Sequence, residues 1–176
     1  MNKPKIVSNF FSEQECREII REAEKFYSTT TFCDASNEKL PFYYMICHRN
    51  GKNTFDIEDP LEHSNNRILF NNRLAKRIMS MIREKIPIFT TKYVTILKYA
   101  VGLSMGWHYD DDYSLCIYLN KDFEGGELCF ARASSIKPET GQLVVFPRVK
   151  HCVLPVTSGT RYCISFGTNK KVYDSV

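Results

Sequence analysis

The sequence predicts an α+β, mainly β fold: a double-stranded β-helix, or jelly roll, of about eight strands behind two N-terminal supporting helices. Three observations carry that prediction. Helical periodicity is confined to the stretch before Pro87. After it come short apolar runs separated by Gly, Asp, Asn and Pro turns. The chain has 176 residues, 43% hydrophobic and 13% aromatic, enough to bury a substantial core in one domain without staples. Residues 1–176 therefore read as a single domain, helical over about 1–90 and a jelly-roll core over about 91–168.

The elements follow in order. Ser12-Glu-Gln-Glu15 is a capping box, and Phe11 before it can staple onto Cys16. Cys16, Ile19, Ile20, Ala23 and Phe26 then recur at helical spacing, so Ser12 to Tyr27 is an amphipathic helix. From Phe32 to Asn66 a strand at Phe42 to Ile46 lies among turn signals, and a long loop is expected. Asn72 to Ile86 is the second helix, with Leu74, Ile78, Met81 and Ile82 inward and Pro87 ending it. Eight strands are expected next: Lys92 to Tyr99, Gly106 to Asp110, Ser114 to Leu119, Glu127 to Ala131, Ser134 to Lys137, Gln142 to Phe146, His151 to Val156 and Thr160 to Thr168.

Charge and cysteines narrow the class. The formal charge of +4 is spread along the chain and calls for neither nucleic acid nor an anionic membrane. Arg67, Arg73, Lys76, Arg77, Arg83 and Lys85 read as the solvated face of a helix. The seven cysteines form no Cys-x-x-Cys pair and fall mostly in apolar strands, which suits reduced core thiols rather than a disulfide framework or zinc site. No stretch resembles a signal peptide or a membrane span, so a soluble, cytoplasmic protein is expected.

The chemistry concentrates in Trp107-His108-Tyr109-Asp110, with His151 and Arg161 downstream. Residues i and i+2 of a strand share a face, so His108 and Asp110 present an imidazole and a carboxylate together. With His151 from another strand they make two neutral nitrogens and one carboxylate, the facial triad of non-haem Fe(II) oxygen chemistry. Parity supports the site. Leu115, Ile117 and Leu119 alternate with Cys116 and Tyr118, and Tyr162, Ile164 and Phe166 alternate with Arg161, Cys163 and Ser165. The bulky apolar faces would pack against the helices or the facing sheet, which leaves Tyr118 and Arg161 pointing into the barrel. A buried guanidinium needs an anion, supplied either by the protein or by the far carboxylate of a bound dicarboxylate.

Here the sequence resembles a known family. His108-x-Asp110, Tyr118-Leu-Asn-Lys-Asp-Phe-Glu-Gly-Gly-Glu-Leu128, Phe146-Pro147, His151 and Pro155-Val-Thr-Ser-Gly-Thr-Arg-Tyr162 look like the 2-oxoglutarate and Fe(II)-dependent dioxygenases, in their prolyl 4-hydroxylase and lysyl hydroxylase branch. The resemblance is strong over roughly 90–168 and looser over Ile6 to Cys16. It implies that His108, Asp110 and His151 bind Fe(II) and carry catalysis. It implies that Arg161 binds the distal carboxylate of 2-oxoglutarate, with Tyr118 and Tyr99 as further cosubstrate contacts. Arg at 161 matches lysyl and oxygen-sensing prolyl hydroxylases, whereas many collagen-type enzymes carry Lys there.

The resemblance further implies O2 as oxidant, leaves room for ascorbate, and points to hydroxylation of a prolyl or lysyl residue in a peptide, with release of succinate and CO2. Asp110 fills the position that related halogenases leave small. Gly167 stands where nucleic-acid demethylases carry a second Arg, which argues against a nucleic-acid substrate. The segment from Phe32 to Asn66 could cover a bound peptide; a cationic or acidic anchor there would instead suit a free amino acid or small metabolite, and Arg49, Lys52 and Arg67 do not decide between them. A jelly-roll binding module without turnover, or a metal protein without 2-oxoglutarate, are the competing readings. His48 and His63 are expected in loops, Asp111 and Asp112 in solvent, and Trp107 packed in the wall away from the metal.

Overall fold

The computed structural model describes residues 3–25, 42–47, 72–91, 93–110, 112–131, 133–137 and 139–176, and for 42–47, 72–73 and 93–95 the backbone only. Among these residues the elements run β1 (Lys5–Val7), α1 (Glu13–Glu24), β2 (Phe42–Cys47), α2 (Asn72–Lys85), β3 (Tyr93–Tyr99), β4 (Met105–His108), β5 (Tyr113–Tyr118), β6 (Phe123–Gly125), β7 (Leu128–Phe130), β8 (Ala133–Ile136), β9 (Leu143–Pro147), β10 (His151–Val153), β11 (Val156–Gly159), β12 (Arg161–Thr168) and α3 (Lys170–Ser175). Three antiparallel sheets form: a six-stranded one ordered β1-β9-β5-β12-β3-β2, a four-stranded one ordered β4-β10-β7-β8, and the pair β11-β6. This is the expected mainly β jelly roll.

Two apolar layers lie on opposite sides of the large sheet. On one side Ile96, Leu115, Ile117, Leu143, Val145, Ile164 and Phe166 pack with Cys16, Ile19 and Ala23 of α1 and Leu74, Ala75, Ile78 and Ile82 of α2. On the other side Tyr99, Cys116, Tyr118, Val144, Phe146 and Cys163 meet Leu128, Phe130 and Val153 of the smaller sheet. Alternate residues of one strand thus serve different layers, which follows from the two-residue period of side chains in extended backbone.

The capping box is formed: Ser12 N donates to Glu15 Oε2 at 2.7 Å, and Glu15 N donates to Ser12 Oγ at 3.2 Å. The helix entrance is docked onto the barrel where Phe11 N donates to the Gly141 carbonyl, while Gly141 N donates to that of Tyr118. Gly141 has φ +74° and a Cβ there would sit 1.9 Å from the Phe11 oxygen, so only glycine permits this approach. In the basic cluster, Arg77 pairs with Glu18 of α1 and Arg83 Nε donates to the Phe89 carbonyl.

The eight strands expected after Pro87 are all present, with one division. His151 to Val156 is two strands, because Leu154 and Pro155 leave the ladder: Pro155 has no N–H, and the chain crosses from β4 and β7 to pair with β6. Three elements had no sequence expectation. β1 and β6 are three residues each, too short to show a period. α3 spans six residues, and its signal is the Asn169 side chain accepting from Val172 N at 3.2 Å.

The first helix is formed to Glu24; Phe26 and Tyr27 lie outside the described residues. So do His48, His63, Arg49, Lys52, Arg67, Asp111 and, apart from β2, the loop from Phe32 to Asn66. Cys16, Cys116, Cys129, Cys152 and Cys163 are free thiols. Among the described residues no helix is long and apolar enough to cross a membrane.

Candidate active site

β4 and β10 are antiparallel neighbours with His108 opposite His151, so two imidazoles arrive side by side with ring centroids 4.2 Å apart. Asp110 follows β4 and reaches both: Oδ1 is 3.4 Å from His108 Nε2 and Oδ2 is 3.4 Å from His151 Nε2. One donor atom from each residue lies within 4.8 Å of the others. The far ring nitrogens are held by backbone carbonyls, His108 Nδ1 by Gly106 at 2.7 Å and His151 Nδ1 by Val149 at 2.9 Å. A carbonyl can only accept, so Nδ1 carries a proton, and in the neutral ring the Nε2 lone pair faces inward.

The Asp110 carboxylate, which accepts from the protonated His108 ring, raises the His108 pKa despite burial. Burial pushes the Asp110 carboxyl up, but its bonds to His108 and His151 outweigh that and hold it well below the usual carboxylate range. Two imidazoles and an ionised carboxylate on converging sites fit a divalent first-row metal, with the opposite positions left for other ligands.

A second cluster lies in the same inter-sheet space, whose Phe130 and Phe146 pack on the His151 ring. Arg161 is 1% exposed, and among the described residues no carboxylate pairs with it. Its guanidinium carbon lies 4.6 Å from the Tyr99 ring centre and 5.1 Å from that of Tyr118, and Tyr99 faces it in the β3 and β12 register. Burial opposes the charge, but Cys163, the tyrosines and Cys116 outweigh it and keep Arg161 protonated. Arg161 Nε and the Tyr118 hydroxyl are buried without hydrogen-bond partners. Burial raises the Tyr118 pKa well above its ordinary value, so the hydroxyl keeps its proton. Buried polar atoms left unpaired cost on the order of 1–3 kcal/mol each, and a carboxylate entering here would satisfy both. The donor set therefore fits the far end of a dicarboxylate.

Three supporting residues carry these positions and were not singled out from the sequence. Ser114 Oγ donates to Asp110 Oδ2 at 3.1 Å, orienting the carboxylate. Asn120 bridges the two residues that flank Arg161: its amide nitrogen donates to the Thr160 carbonyl at 2.7 Å, and its oxygen accepts from Tyr162 N at 2.8 Å. Gly126 lies against the arginine stem, where a Cβ would come 2.9 Å from Arg161 Cδ on a backbone with φ +67°. Asn120 and Gly126 stand inside the motif from Tyr118 to Leu128, so the signal for them was the motif itself. Trp107 departs from expectation. It points away from His108 but is 52% exposed rather than packed in the wall, because β4 is an edge strand and its outer face meets solvent. Tyr109, 56% exposed, lies under the Arg148 guanidinium at 5.7 Å.

Comparison with known proteins agrees with this geometry. Residues 94–166 match the model of the 2OG-Fe(II) oxygenase superfamily, 2OG being 2-oxoglutarate. Prolyl 3-hydroxylase 2 of Gallus gallus is 40% identical over 63 residues, covering 31% of this chain but only 9% of that protein. Among solved structures, the viral collagen prolyl hydroxylase of Paramecium Bursaria Chlorella virus-1 superposes with TM-score 0.60 at 19% identity, covering 93% of each chain. A prolyl hydroxylase of Trichoplax adhaerens, in complex with a hypoxia inducible factor peptide fragment, gives 0.63 at 17% identity, covering 97% of this chain and 85% of its own. A Pseudomonas putida prolyl-4-hydroxylase gives 0.58 at 17%, covering 92% and 89%. At these identities the solved structures share the fold.

Proposed function

We propose that the protein is an Fe(II)- and 2-oxoglutarate-dependent dioxygenase that hydroxylates a prolyl or lysyl residue of a peptide, releasing succinate and CO2, a reading supported by the match of residues 94–166 to the model of the 2OG-Fe(II) oxygenase superfamily. The observation that carries the cosubstrate assignment is Arg161: charged, buried, and facing no protein carboxylate among the described residues. His108, Asp110 and His151 would hold the iron. When bound, iron would activate O2 as the oxidant, with 2-oxoglutarate as the two-electron reductant that leaves as succinate and CO2, so that one oxygen atom is inserted into an unactivated C–H bond.

The chain's own residues position and exclude. The backbone carbonyls of Gly106 and Val149 fix both imidazoles with Nε2 inward, and Ser114 holds the Asp110 carboxylate against rotation. Arg161 anchors the far carboxylate of the cosubstrate and the Tyr118 hydroxyl donates to it, so the opposite end is directed toward the triad. Phe130, Phe146 and Val153 line the space between the sheets and keep water from it. A peptide substrate is supported by the likeness to the Trichoplax adhaerens enzyme, which carries a peptide fragment.

The test is anaerobic. Fe(II) and 2-oxoglutarate added to the purified protein should give the visible charge-transfer band of their chelate, and His151→Ala should lose it while staying folded. Succinate released only in the presence of prolyl or lysyl peptides would support the substrate class; turnover of free amino acids alone would replace it. A folded protein that gives no band sinks the proposal.

A further inference from the structure

Among the described residues the Arg161 guanidinium has one close side-chain acceptor, and it is sulfur. Its Nη1 donates to Cys163 Sγ at 3.2 Å, with both residues buried. A neutral thiol is a weak acceptor, and a separation this short from a permanently charged donor is what a thiolate gives. Cys163 lies two residues from Arg161 on the inward face of β12, and Cys116 on the neighbouring β5 hydrogen-bonds to it. Burial pushes the Cys163 thiol up, but the bond from Cys116 and the Arg161 charge outweigh it and hold Cys163 below the ordinary thiol value. Cys116 goes the other way, first through its bond to Cys163 and then through burial. Of the two thiols Cys116 thus keeps its proton more tightly, and Cys163 is the one that gives its proton up first.

Among the described residues the other titratable groups around this thiol are few. Tyr118 stands on β5, Tyr99 on β3 and Arg161 on β12. The facing strands contribute the apolar Leu128, Phe130 and Val153 to the same cluster, and the titratable group they carry inward is His151, packed on Phe130 and Phe146.

We propose that Cys163 is a proton-linked positioning residue of the cosubstrate pocket: its thiolate neutralises Arg161 until the distal carboxylate of 2-oxoglutarate takes the guanidinium, whereupon Cys163 binds one proton. Charge balances, since a sulfur anion paired with Arg161 is replaced by a carboxylate and the thiolate becomes a thiol with a proton drawn from water. This rests on Arg161 being the cosubstrate anchor. The sign follows directly. Raising the pH stabilises the thiolate, which competes with the incoming carboxylate, so affinity for 2-oxoglutarate falls by about tenfold per pH unit above the Cys163 titration.

The experiment is anaerobic calorimetry of 2-oxoglutarate binding to the Fe(II)-loaded protein, from about pH 6 to about pH 9, spanning the thiol range. Paired buffers of different ionisation enthalpy count the protons taken up. Wild type should take up close to one proton at the alkaline end and lose affinity with that slope. Cys163→Ala and Cys163→Ser, which cannot ionise there, should take up correspondingly fewer and bind more tightly than wild type at the alkaline end. The triad and the tyrosines are common to all three proteins, so the difference isolates Cys163. Equal slopes and equal proton counts overturn the inference and leave Arg161 as the anchor untouched. A uniform loss of affinity at every pH in the variants also overturns it, since that is what a packing role alone would do. No binding by any folded protein overturns the cosubstrate reading itself. The difference in ultraviolet thiolate absorbance between wild type and Cys163→Ala, taken before ligand is added, is a second readout; its absence at alkaline pH sinks the thiolate directly.

Discussion

Leu115 and Ile117 occupy one face of β5, Cys116 and Tyr118 the other, and the two faces obey different rules. Toward the helices the buried neighbours of the large sheet are apolar, and the polar contacts of that layer, Lys98 and the Tyr162 hydroxyl on Glu24 of α1, are only partly buried. Toward the smaller sheet, apolar side chains surround an arginine, a pair of thiols, two tyrosines and the buried His151, with Arg161 Nε and the Tyr118 hydroxyl unpaired. The first layer gains free energy from every contact. The second leaves buried polar atoms unsatisfied at a place where a charged ligand would satisfy them. One strand thus separates stability from function by the parity of its residues.

The sharpest way to break that separation is to exchange the effects. Arg161→Ala should weaken 2-oxoglutarate binding by on the order of a hundredfold or more, as expected for truncating one side of a buried charge pair. The cooperative unfolding transition should survive, because among the described residues Arg161 pairs with no carboxylate and the Cys163 sulfur left behind can take up a proton. Direct calorimetric titration beside a thermal melt checks both. Ile164, three residues along β12 on the opposite face and fully buried, should behave conversely. Ile164→Ala should cost about 3 kcal/mol in denaturant unfolding through lost burial and the cavity left behind. Its 2-oxoglutarate affinity, measured on the folded fraction, should stay within about twofold of wild type, a difference of less than about 0.5 kcal/mol. If the two variants do not separate in this way, the division by parity is wrong.

Much of this division was legible in the sequence, because it rests on period-two alternation and on residue types that few other sites require. His108, Asp110 and His151 stand together as a strand pair with this spacing would place them, Arg161 stands beside Tyr118, and Tyr99 faces Arg161 across the β3 and β12 register. What was not legible depends on where backbone passes backbone. Nothing in the spacing of Asn120 says that its amide will replace ladder bonds on both sides of residue 161. Nothing in Gly126 taken alone says that an arginine stem will lie on it. The outward exposure of Trp107 follows from β4 being a sheet edge, which is a property of strand order and not of the Trp-His-Tyr-Asp run. Short β1, β6 and α3 escaped for a related reason: three to six residues hold fewer than two full periods, and their partners determine them.

Asn120 lies between the two compartments and can sharpen the comparison. It touches no ligand, yet it holds the backbone on both sides of Arg161. Asn120→Ala should therefore register in both assays at once. Loss of two hydrogen bonds to half-buried backbone should cost about 2 kcal/mol of stability. The freed Arg161 should bind 2-oxoglutarate roughly tenfold more weakly, about 1.4 kcal/mol. A stability loss with unchanged affinity would mean that Arg161 is aimed by its tyrosine sandwich alone.

The smallest expected effect lies at the far end of the stabilising layer. Ser12→Ala removes one half of the capping box at the start of α1, at a cost of about 1 kcal/mol. The helix entrance nevertheless connects toward the site, since Phe11 is bonded to Gly141, Gly141 to the Tyr118 carbonyl, and Cys16 Sγ approaches the same oxygen at 3.9 Å. If those bonds only fasten the helix to the barrel, chemical denaturation should register the loss while 2-oxoglutarate affinity remains at the wild-type value. If instead α1 sets where Tyr118 stands, affinity will fall with stability in Ser12→Ala. Parallel measurement of the two quantities then decides whether the apolar layer merely supports the site or also aims it.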